Sequence, residues 1–348
     1  MANIVILGAG SMGTAFSFPC SDKTHSVNII GTHLENNLID KINSKRIHPS
    51  LGCRVPNNVK FLKFNKLGEK INKKVDLIVI AVISKGIEWA STELSKVLKN
   101  KIPILILTKG LAINNNNYEV LAHKMERLLK KNGIKETNII AAGGPCLAKG
   151  LANRVHTSVV FTNSDTEIAN QIARLVSTDY YHVFTSDDVV GVETCAAIKN
   201  IFSMVIGASE GLCNSNVSKE IRKNNYLNTA AALLQQSIHE MIIFTEKLKG
   251  RKETVMGLAG IGDLYVSADG GRNSKMGQYL GQGMTFQEAK KIKMANDTVE
   301  GADLALEIGS RVKNDFDIEE LPLMVSVIDA ICDEKPLTIE WNNFNKTH

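Results

Sequence analysis

The sequence IVILGAGSMG, residues 4–13, joins a short apolar run to a glycine-rich turn. Its first four residues are all apolar, which is typical of a central strand in a parallel sheet. The turn has the spacing G-x-G-x-x-G, and a helical pattern follows it directly. In that context Gly8 allows a tight turn, Gly10 lets the backbone approach a pyrophosphate, and Gly13 lets the helix pack on the strand. The stretch therefore predicts a dinucleotide-binding domain in this part of the chain.

The second predicted strand, residues 27–30, ends where such domains contact the adenosine ribose. NAD enzymes usually carry Asp or Glu at this point, whereas here Gly31, Thr32 and His33 follow and the first carboxylate is Glu35. A missing carboxylate removes the repulsion of a 2′-phosphate, but no arginine is present to bind one. The sequence therefore favours NADP over NAD only slightly. His33 is either a contact to the adenosine end of the cofactor or an exposed loop residue.

Strand and helix patterns alternate from the glycine-rich turn to about residue 186. Continuous apolar runs predict further strands at residues 76–82, 104–107, 139–142, 159–161 and 181–184. Ser164 to Glu167 has the capping-box spacing and predicts the start of the helix between the last two strands. We therefore expect an α/β Rossmann domain with a mostly parallel, doubly wound sheet over residues 1–186, and an all-α domain over residues 187–348.

Lys199 lies in the middle of DDVVGVETCAAIKNIFSMVIGASEGL, residues 187–212. Between Val189 and Ser209 the only formal charges are Glu193 and Lys199, so the segment predicts a buried helix. Helical spacing surrounds the lysine with small or apolar residues. Because burial lowers the pKa of an amine, a buried lysine suits proton transfer near neutral pH. A lysine that reaches solvent or pairs with a remote carboxylate fits the pattern equally well.

Three further groups of polar residues follow a strand or lie among glycines. Lys109 comes directly after the strand at residues 104–107, at the edge where open α/β sheets bind ligands. GLAGIGD, residues 257–263, is a glycine-rich approach to a carboxylate. In GGRN, residues 270–273, glycines precede an arginine, so backbone N–H groups and a guanidinium can converge on a phosphate. The arginine could also be a surface residue at a helix end.

The 348 residues have the composition of a soluble globular protein, with 44% hydrophobic and 22% charged residues. The net charge of +5 comes without a basic tail or interleaved aromatic residues, which argues against nucleic acid and agrees with small anionic ligands. Six cysteines without a CxxC pair predict a reduced, cytoplasmic protein, and no His/Cys cluster has metal-ligand spacing. We expect no secretory signal and no membrane-inserted segment, because the longest apolar run contains charges.

Seven motifs together resemble those of the NAD(P)-dependent glycerol-3-phosphate dehydrogenases. They keep the family's order and spacing across nearly the whole chain. The motifs are GAGSMGTA at 8–15, LTKGL at 107–111, GGPC at 143–146, ETCAAIKN at 193–200, GLAGIGDL at 257–264, GGRN at 270–273 and VEG at 299–301. The resemblance implies an N-terminal Rossmann domain, an all-helical substrate domain and a homodimer.

The resemblance also implies roles for individual residues. Lys199 would transfer the proton, while Lys109 and Asp263 would complete the catalytic set and help to hold the substrate. The other substrate contacts would be Gly144, Cys146, Asn200, Arg272 and Asn273, of which the last two take the phosphate. The cofactor contacts would be Gly8, Gly10, Ser11, Met12, Gly13, Thr32, His33, Lys109, Ala148, Arg272 and Glu300.

The implied reaction is reversible hydride transfer from NADPH or NADH to dihydroxyacetone phosphate, which gives sn-glycerol 3-phosphate for the glycerophospholipid backbone. The chain departs from the family pattern at three positions and in the segment between Asp263 and Arg272, which is slightly short. Thr32 stands where Arg or His is common, Cys146 where a small hydroxyl residue is common, and Lys149 where an acidic residue is usual. The alternatives are a reductase of another small phosphorylated ketone or of a 2-keto acid, and a catalytically silent NAD(P)-binding regulator.

Overall fold

The structure is a computed structural model that describes residues 1–72, 74–99, 101–213 and 219–344, with the backbone alone for residues 219–225. The chain forms two units. The first comprises Met1–Lys109 and Val120–Glu193, and the second comprises Gly110–Glu119 and Thr194–His348. The glycine-rich turn therefore belongs to the first unit, and the lysine of the apolar helix belongs to the second.

Ten strands are present in the described residues. They are β1 Asn3–Leu7, β2 Ser26–Ile30, β3 Val59–Leu62, β4 Leu77–Ile80, β5 Pro103–Ile106, β6 Leu111–Asn114, β7 Asn117–Val120, β8 Asn138–Gly143, β9 Thr157–Thr162 and β10 Tyr181–Ser186. Eight of them form one sheet in the order β10-β9-β8-β5-β4-β1-β2-β3, and β6 pairs with β7 separately. Neighbours in the large sheet are parallel except β8 and β9, which are antiparallel. The predicted mostly parallel Rossmann sheet is confirmed.

Alternate residues of the central strands pack on opposite faces of this sheet. In β1, Ile4 and Ile6 belong to one hydrophobic cluster, while Val5 and Leu7 belong to the other. Because consecutive residues are all apolar, each face of the strand can be covered. The continuous apolar runs of the sequence therefore mark the strands that are buried on both faces. Strand β3 was not predicted, because its residues alternate between buried and partly exposed.

The helices of the first unit follow the strands as the alternating pattern predicts. They are α1 Ser11–Asp22, α2 Asn36–Lys45, α3 Leu67–Lys70, α4 Ile87–Val97, α5 Leu121–Lys131, α6 Ala148–Ala152 and α7 Thr166–Val176. The capping box predicted from Ser164 to Glu167 is wrong, because Asp165 is the N-cap of α7. Its carboxylate accepts a hydrogen bond from the N–H of Glu167 at 3.0 Å. An ionised acceptor binds this N–H more strongly than a serine hydroxyl does.

Helix α8, Val189–Leu212, begins in the first unit and continues into the second. By length and composition it could cross a membrane, yet 83% of its most apolar window is buried in the fold, as in the core helix of a soluble protein. The units divide after Glu193, not at residue 187 as predicted. The physical reason is that the first turn of α8 packs on the first unit: Val189 contacts its core and Glu193 accepts a hydrogen bond from the N–H of Ala122.

The second unit is mainly helical, as predicted. Its remaining helices are α9 Lys219–Lys247, α10 Lys252–Val255, α11 Asp263–Ala268, α12 Arg272–Gly281, α13 Phe286–Ile292, α14 Glu300–Asp315 and α15 Pro322–Cys332. A π-helical turn, Leu258–Gly262, precedes α11. The sequence analysis missed the short strands β6 and β7, most of which belong to this unit. The described elements from Val189 onward are all helices, so the predicted helical C-terminal domain is confirmed, and the two strands come from residues 111–120.

Helices α8 and α12 approach each other through glycines. A Cβ atom at Gly207 would lie 2.2 Å from the carbonyl oxygen of Ser274, and one at Gly277 would lie 1.9 Å from that of Met204. Any larger residue at either position would force the two backbones apart. The close contact holds α12 beside the C-terminal half of α8.

Candidate active site

The glycine-rich turn between β1 and α1 has the geometry that its spacing predicts. Gly8 has a φ of 114°, and a Cβ atom there would lie 2.5 Å from the carbonyl oxygen of Ala81. A Cβ atom at Gly13 would lie 2.3 Å from the carbonyl oxygen of Gly8, so helix and turn are in close contact. At Gly10 the nearest atom to a Cβ would be Glu35 Oε1 at 3.9 Å. The space beside Gly10 is therefore open to a ligand at the N-terminus of α1.

A carboxylate lies at this turn, although none directly follows β2. Oε2 of Glu35 accepts hydrogen bonds from the N–H groups of Ala9, at 3.1 Å, and Thr32, at 2.7 Å. A backbone hydrogen bond from the N–H of Glu35 to the carbonyl of Thr32, at 3.0 Å, closes the turn that brings the side chain back. The carboxylate of Glu35 therefore contacts the glycine-rich turn, although its position in the sequence, five residues after β2, did not predict this contact.

The other predicted cofactor contacts near this turn are more exposed. Ser11 and Met12 are half-buried in the first turn of α1, and Thr32 is half-buried. His33 is exposed, and its ring centroid lies 5.2 Å from that of Trp89. The structure thus gives His33 an aromatic neighbour on an accessible surface, which is compatible with both alternatives drawn from the sequence.

Lys109 lies beyond the carboxyl end of β5, where the sequence predicts it. The side chain of the preceding residue, Thr108, donates a hydrogen bond to the carbonyl of Val82 at 2.6 Å, which ties this loop to the end of β4. Nζ of Lys109 lies 3.3 Å from the carbonyl oxygen of Gly144 and donates to it. Cys146 and Ala148 are half-buried in the segment that follows β8. The structure therefore brings Lys109 together with the GGPC segment.

Lys199 is buried in α8, with 7% of its surface exposed. Its ammonium group donates hydrogen bonds to Oδ1 of Asp263 and to Oγ of Ser267, both at 2.5 Å. Asp263 is itself only 1% exposed. Pairing with a carboxylate offsets part of the cost of removing the charged amine from water. Two of the alternatives drawn from the sequence therefore apply at once, because the lysine is buried and also pairs with a remote carboxylate.

The position of Asp263 follows from the glycines before it. The π-helical turn Leu258–Gly262 leads directly into α11, of which Asp263 is the first residue. A Cβ atom at Gly260 would lie 2.0 Å from the carbonyl oxygen of Val255, so this turn packs closely on α10. The glycine-rich approach noted in the sequence is therefore a compact turn that delivers the carboxylate to the lysine.

Ser267 is a site residue that the sequence analysis missed. Its hydroxyl donates to the backbone carbonyl of Asp263 at 2.7 Å and accepts the second hydrogen bond from Lys199. The available signal was its spacing: a serine four residues after Asp263 on a helix lies on the same face.

Asn200 and Asn273 are paired with each other. Nδ2 of Asn273 donates to Oδ1 of Asn200 at 3.0 Å, and Oδ1 of Asn273 accepts from the N–H of Gly301 at 2.9 Å. Asn273 is 6% exposed. These bonds link the residue after Lys199 with the starts of α12 and α14. The structure thus brings together the ETCAAIKN, GGRN and VEG motifs.

Arg272 forms an ion pair with Glu300 at the starts of α12 and α14. Both side chains are about half exposed, at 52% and 43%. The guanidinium lies at the N-terminus of a ten-residue helix, where free backbone N–H groups and the helix dipole also favour an anion. Arg272 is therefore a residue of a helix start, as one alternative held, and a positively charged group available to an anionic ligand.

Two buried glutamates lie apart from this cluster and cap helices. Burial raises the pKa of Glu193 to about 8, against the opposing effect of hydrogen bonds from the N–H groups of Ala122 and Leu121 at the start of α5. Burial likewise raises the pKa of Glu240 to about 7, opposed by hydrogen bonds from the N–H groups at the start of α15. Both raised pKa values therefore come from burial of carboxyl groups that cap helices.

The predicted site residues therefore fall into two groups. The first unit holds Gly8, Gly10, Ser11, Met12, Gly13, Thr32, His33, Lys109, Gly144, Cys146 and Ala148. The second unit holds Lys199, Asn200, Asp263, Arg272, Asn273 and Glu300. In the part of the chain that the structure describes, no three His, Cys, Asp or Glu side chains are grouped as a metal site. The second group combines the buried pair of Lys199 and Asp263 with the guanidinium of Arg272, and the hydrogen bond between the adjacent residues Asn200 and Asn273 links the two segments.

Comparison with known families gives matches over both parts of the chain. Residues 3–169 match the model of the NAD-dependent glycerol-3-phosphate dehydrogenase N-terminus, and residues 188–340 match that of the corresponding C-terminus. The two matches together include all the motifs named above.

Individual relatives are similar over most of their length. The chain is 31% identical to the NADP(+)-dependent glycerol-3-phosphate dehydrogenase of Archaeoglobus fulgidus over 318 residues. The aligned region covers 90% of this chain and 91% of that protein. It is 28% identical over 315 residues to the NAD(P)+ glycerol-3-phosphate dehydrogenase of Clostridium tetani, with coverage of 89% and 84%. The crystal structure of the Coxiella burnetii glycerol-3-phosphate dehydrogenase has the same fold, with a TM-score of 0.78, 23% identity and coverage of 96% of each chain.

Proposed function

This chain belongs to the NAD-dependent glycerol-3-phosphate dehydrogenase family, and on that premise we propose that it reduces dihydroxyacetone phosphate to sn-glycerol 3-phosphate, reversibly, with NADH or NADPH. The first unit binds the dinucleotide. The second unit supplies the proton donor and the phosphate contacts. The product is a precursor of the glycerophospholipid backbone.

The observation that carries the proposal is the neighbourhood of Lys199 in the second unit. A buried lysine bonded to Asp263 is suited to proton transfer, and the hydrogen bond between Asn200 and Asn273 joins it to the segment that carries Arg272. A 2-keto acid has no phosphate and does not require this segment. The combination of a protected amine and an adjacent anion-binding helix start therefore supports a phosphorylated carbonyl substrate.

Lys199 acts as the general acid in the reductive direction. Negative charge develops on the carbonyl oxygen as the carbonyl carbon is reduced, and the ammonium group stabilises that charge and delivers a proton to the oxygen. In the oxidative direction the neutral amine removes the hydroxyl proton. Asp263 and Ser267 fix the position of Nζ, since each bonds it at 2.5 Å. Lys109 contributes a second positive charge toward the anionic substrate.

Arg272 and Asn273 bind the substrate phosphate. The guanidinium offers paired N–H donors, and the N-terminus of α12 adds backbone N–H groups. Binding energy from the phosphate then positions the reacting carbon, although the phosphate itself does not react. Glu300 keeps the guanidinium oriented through the ion pair between them.

The glycine-rich turn fits a dinucleotide. Its open space beside Gly10 and the adjacent N-terminus of the twelve-residue helix α1 suit a pyrophosphate. When bound, the reduced nicotinamide supplies the hydride. Ser11 and Met12 would contact the cofactor from the first turn of α1, and Thr32 and His33 from the loop after β2. Ala148 and Glu300 would be further contacts.

The test is oxidation of NADH and NADPH, in separate assays, followed by the reduced-nicotinamide absorbance with dihydroxyacetone phosphate as substrate. We expect turnover with at least one cofactor, and sn-glycerol 3-phosphate as the product. Dihydroxyacetone without its phosphate is the matched control and should react far more slowly. Equal rates with and without the phosphate, or turnover of a 2-keto acid alone, would contradict the assigned substrate class.

Absence of turnover with any carbonyl substrate, in protein that still binds NADH, would instead favour the silent regulator.

The protein is further proposed to be a cytoplasmic homodimer. All six cysteines lie in the described residues and none of them forms a disulfide there, which suits a reducing compartment. The dimer is an expectation from the family resemblance. Light scattering of the purified protein measures its mass against that of the 38.1 kDa chain. A monomer at micromolar concentration would contradict the dimer.

A further inference from the structure

Ala9, between the first two glycines of the turn, is held by a side chain at each of its backbone polar groups. Its N–H donates to Oε2 of Glu35 at 3.1 Å, and its carbonyl oxygen lies 3.1 Å from Nε2 of His48. Ala9 itself is fully buried. The same carbonyl oxygen accepts a hydrogen bond from Oγ1 of Thr14 at 3.1 Å. Glu35 and His48, which are far from the turn in sequence, therefore help to orient the peptide groups on either side of Ala9.

The hydrogen bonds of His48 define its tautomer. Nδ1 accepts from the N–H groups of Ser50, at 3.2 Å, and Leu51, at 3.3 Å, so it carries no proton. Nε2 must then carry the hydrogen and donate it to Ala9. The imidazole is 1% exposed, and burial lowers its pKa, which keeps the ring neutral. His48 is thus a fixed, uncharged donor aimed at the turn.

A local turn presents His48 to Ala9. The carbonyl of His48 accepts from the N–H of Gly52 at 2.9 Å, and its N–H donates to the carbonyl of Cys53 at 3.2 Å. The backbone of His48 is therefore fixed by its own hydrogen bonds, in addition to the bond between its ring and Ala9. These bonds distinguish His48 from a histidine that contacts the turn by chance.

We propose that His48 is a positioning residue for the dinucleotide: its bond to the Ala9 carbonyl holds the glycine-rich turn in the conformation that receives the pyrophosphate. The proposal rests on the proposed function, because it assumes that this turn binds NADH or NADPH. Glycines make the free turn flexible, and a turn already ordered loses less entropy when the ligand binds. Loss of the bond should weaken both cofactors alike, since it acts on the pyrophosphate and not on the adenosine ribose.

Two substitutions separate this role from a general contribution to folding. In His48→Asn the side-chain oxygen replaces Nδ1 and still accepts from Ser50 and Leu51, but the donor at Nε2 is lost and the Ala9 carbonyl keeps only the hydrogen bond from Oγ1 of Thr14. In His48→Gln the longer amide replaces Nε2 and can donate to Ala9. We expect Kd values for NADH and NADPH to rise about tenfold in His48→Asn, which corresponds to one lost hydrogen bond. His48→Gln should restore both Kd values to within about threefold of the wild type. The maximal rate at saturating cofactor should change little in either variant.

His25 provides a matched control in the same unit. It is also buried, and it has the same arrangement: Nδ1 accepts from the N–H of Ala2 at 3.2 Å, and Nε2 lies 2.8 Å from the carbonyl oxygen of Leu175. His25→Asn removes a comparable bond that does not touch the turn. It should lower the Tm and leave both Kd values unchanged.

The experiment is a fluorescence titration of the full-length protein and each variant with NADH and NADPH, with Tm measured in parallel. The inference is overturned if His48→Asn binds both cofactors as tightly as the wild type. It is also overturned if His48→Asn and His48→Gln lose affinity equally, because that result indicates a structural role alone. Binding is measured without turnover, so a wild type that binds neither cofactor contradicts the proposed function itself.

Discussion

The two units hold their functional groups in different ways. In the first unit the candidate ligand contacts are mainly backbone groups of a glycine-rich turn, and polar side chains such as Glu35 and His48 orient that backbone. In the second unit the candidate contacts are charged side chains, and Lys199 is buried together with its partner Asp263. A loop can be shaped by steric rules within a few residues, whereas a buried charge needs a partner from elsewhere in the chain. Mutations at the turn of the first unit should therefore weaken cofactor binding, whereas mutations in the second unit should reduce turnover or substrate affinity.

The largest effect is expected for Lys199→Ala. Turnover should fall by about 10²–10⁴-fold, the usual contribution of an acid–base group, while the Kd for NADH stays near the wild-type value. His48→Asn should behave in the opposite way, with weak cofactor binding and nearly normal maximal turnover. Steady-state kinetics combined with fluorescence titration measures both quantities. Near-normal turnover in Lys199→Ala would remove the lysine from the catalytic role.

In Arg272→Ala the KM for dihydroxyacetone phosphate should rise about tenfold to a hundredfold. The reason is the loss of a charge-assisted contact to the phosphate. Arg174→Ala is a matched control, because Arg174 forms an exposed ion pair with Glu167 at 2.6 Å in the first unit. That control should leave the KM unchanged. An unaltered KM in Arg272→Ala would exclude this arginine from the phosphate contact.

Ser267→Ala tests how strictly the second unit positions its lysine. It removes the hydrogen bond between Oγ of Ser267 and Nζ of Lys199, while the bond to Asp263 remains. We expect kcat to fall about tenfold with little change in KM, and Ser267→Thr, which keeps a hydroxyl, to recover most of the loss. If the threonine variant is as slow as the alanine variant, the hydroxyl is not what positions the lysine.

The smallest effect concerns a buried carboxyl group that serves stability. The folded-state pKa of Glu193 is raised to about 8 from an ordinary value of 4.5. The folded state therefore keeps a proton that the unfolded state releases between these values, so this residue makes the free energy of unfolding decrease as pH rises toward 8.

Glu193→Gln removes that titration while keeping an acceptor for the start of α5. Between pH 6 and pH 9 the difference in the free energy of unfolding, variant minus wild type, should increase by more than about 1 kcal/mol, because only the wild type loses the contribution of Glu193. Denaturant unfolding at the two pH values measures the difference. The titration of Glu240, which has the same direction, is common to both proteins and cancels. A difference that does not depend on pH would contradict the raised pKa.

Much of the first unit could be predicted from local sequence. The apolar runs locate the central strands because strands covered on both faces contain consecutive apolar residues. The spacing of Gly8, Gly10 and Gly13 predicts the turn because each has a steric reason within its neighbourhood. What local sequence did not reveal is the return of Glu35 to Ala9, which depends on a loop conformation, and the contact from His48, which depends on packing.

In the second unit the candidate residues could be identified from the sequence, but their hydrogen-bond partners are determined by the fold. Lys199 is conspicuous as a charge in an apolar helix, yet its pairing with Asp263 spans 64 residues and its bond to Ser267 spans 68. The pair Asn200 and Asn273 spans 73 residues. The resemblance to a family placed most of these residues in one site, while Ser267 lay outside the quoted motifs and was missed.

By itself the sequence determined the alternation of helices with the buried central strands of the first unit, the shape of the glycine-rich turn and the identity of the buried lysine. These follow from chain stiffness, steric exclusion and hydrophobic pattern, all of which act over a few residues. Only the tertiary structure decided which carboxylate pairs with the lysine, which side chains fix Ala9, and that the units divide within α8. Those outcomes depend on atoms brought within hydrogen-bonding distance by packing, and sequence separation carries no information about that distance.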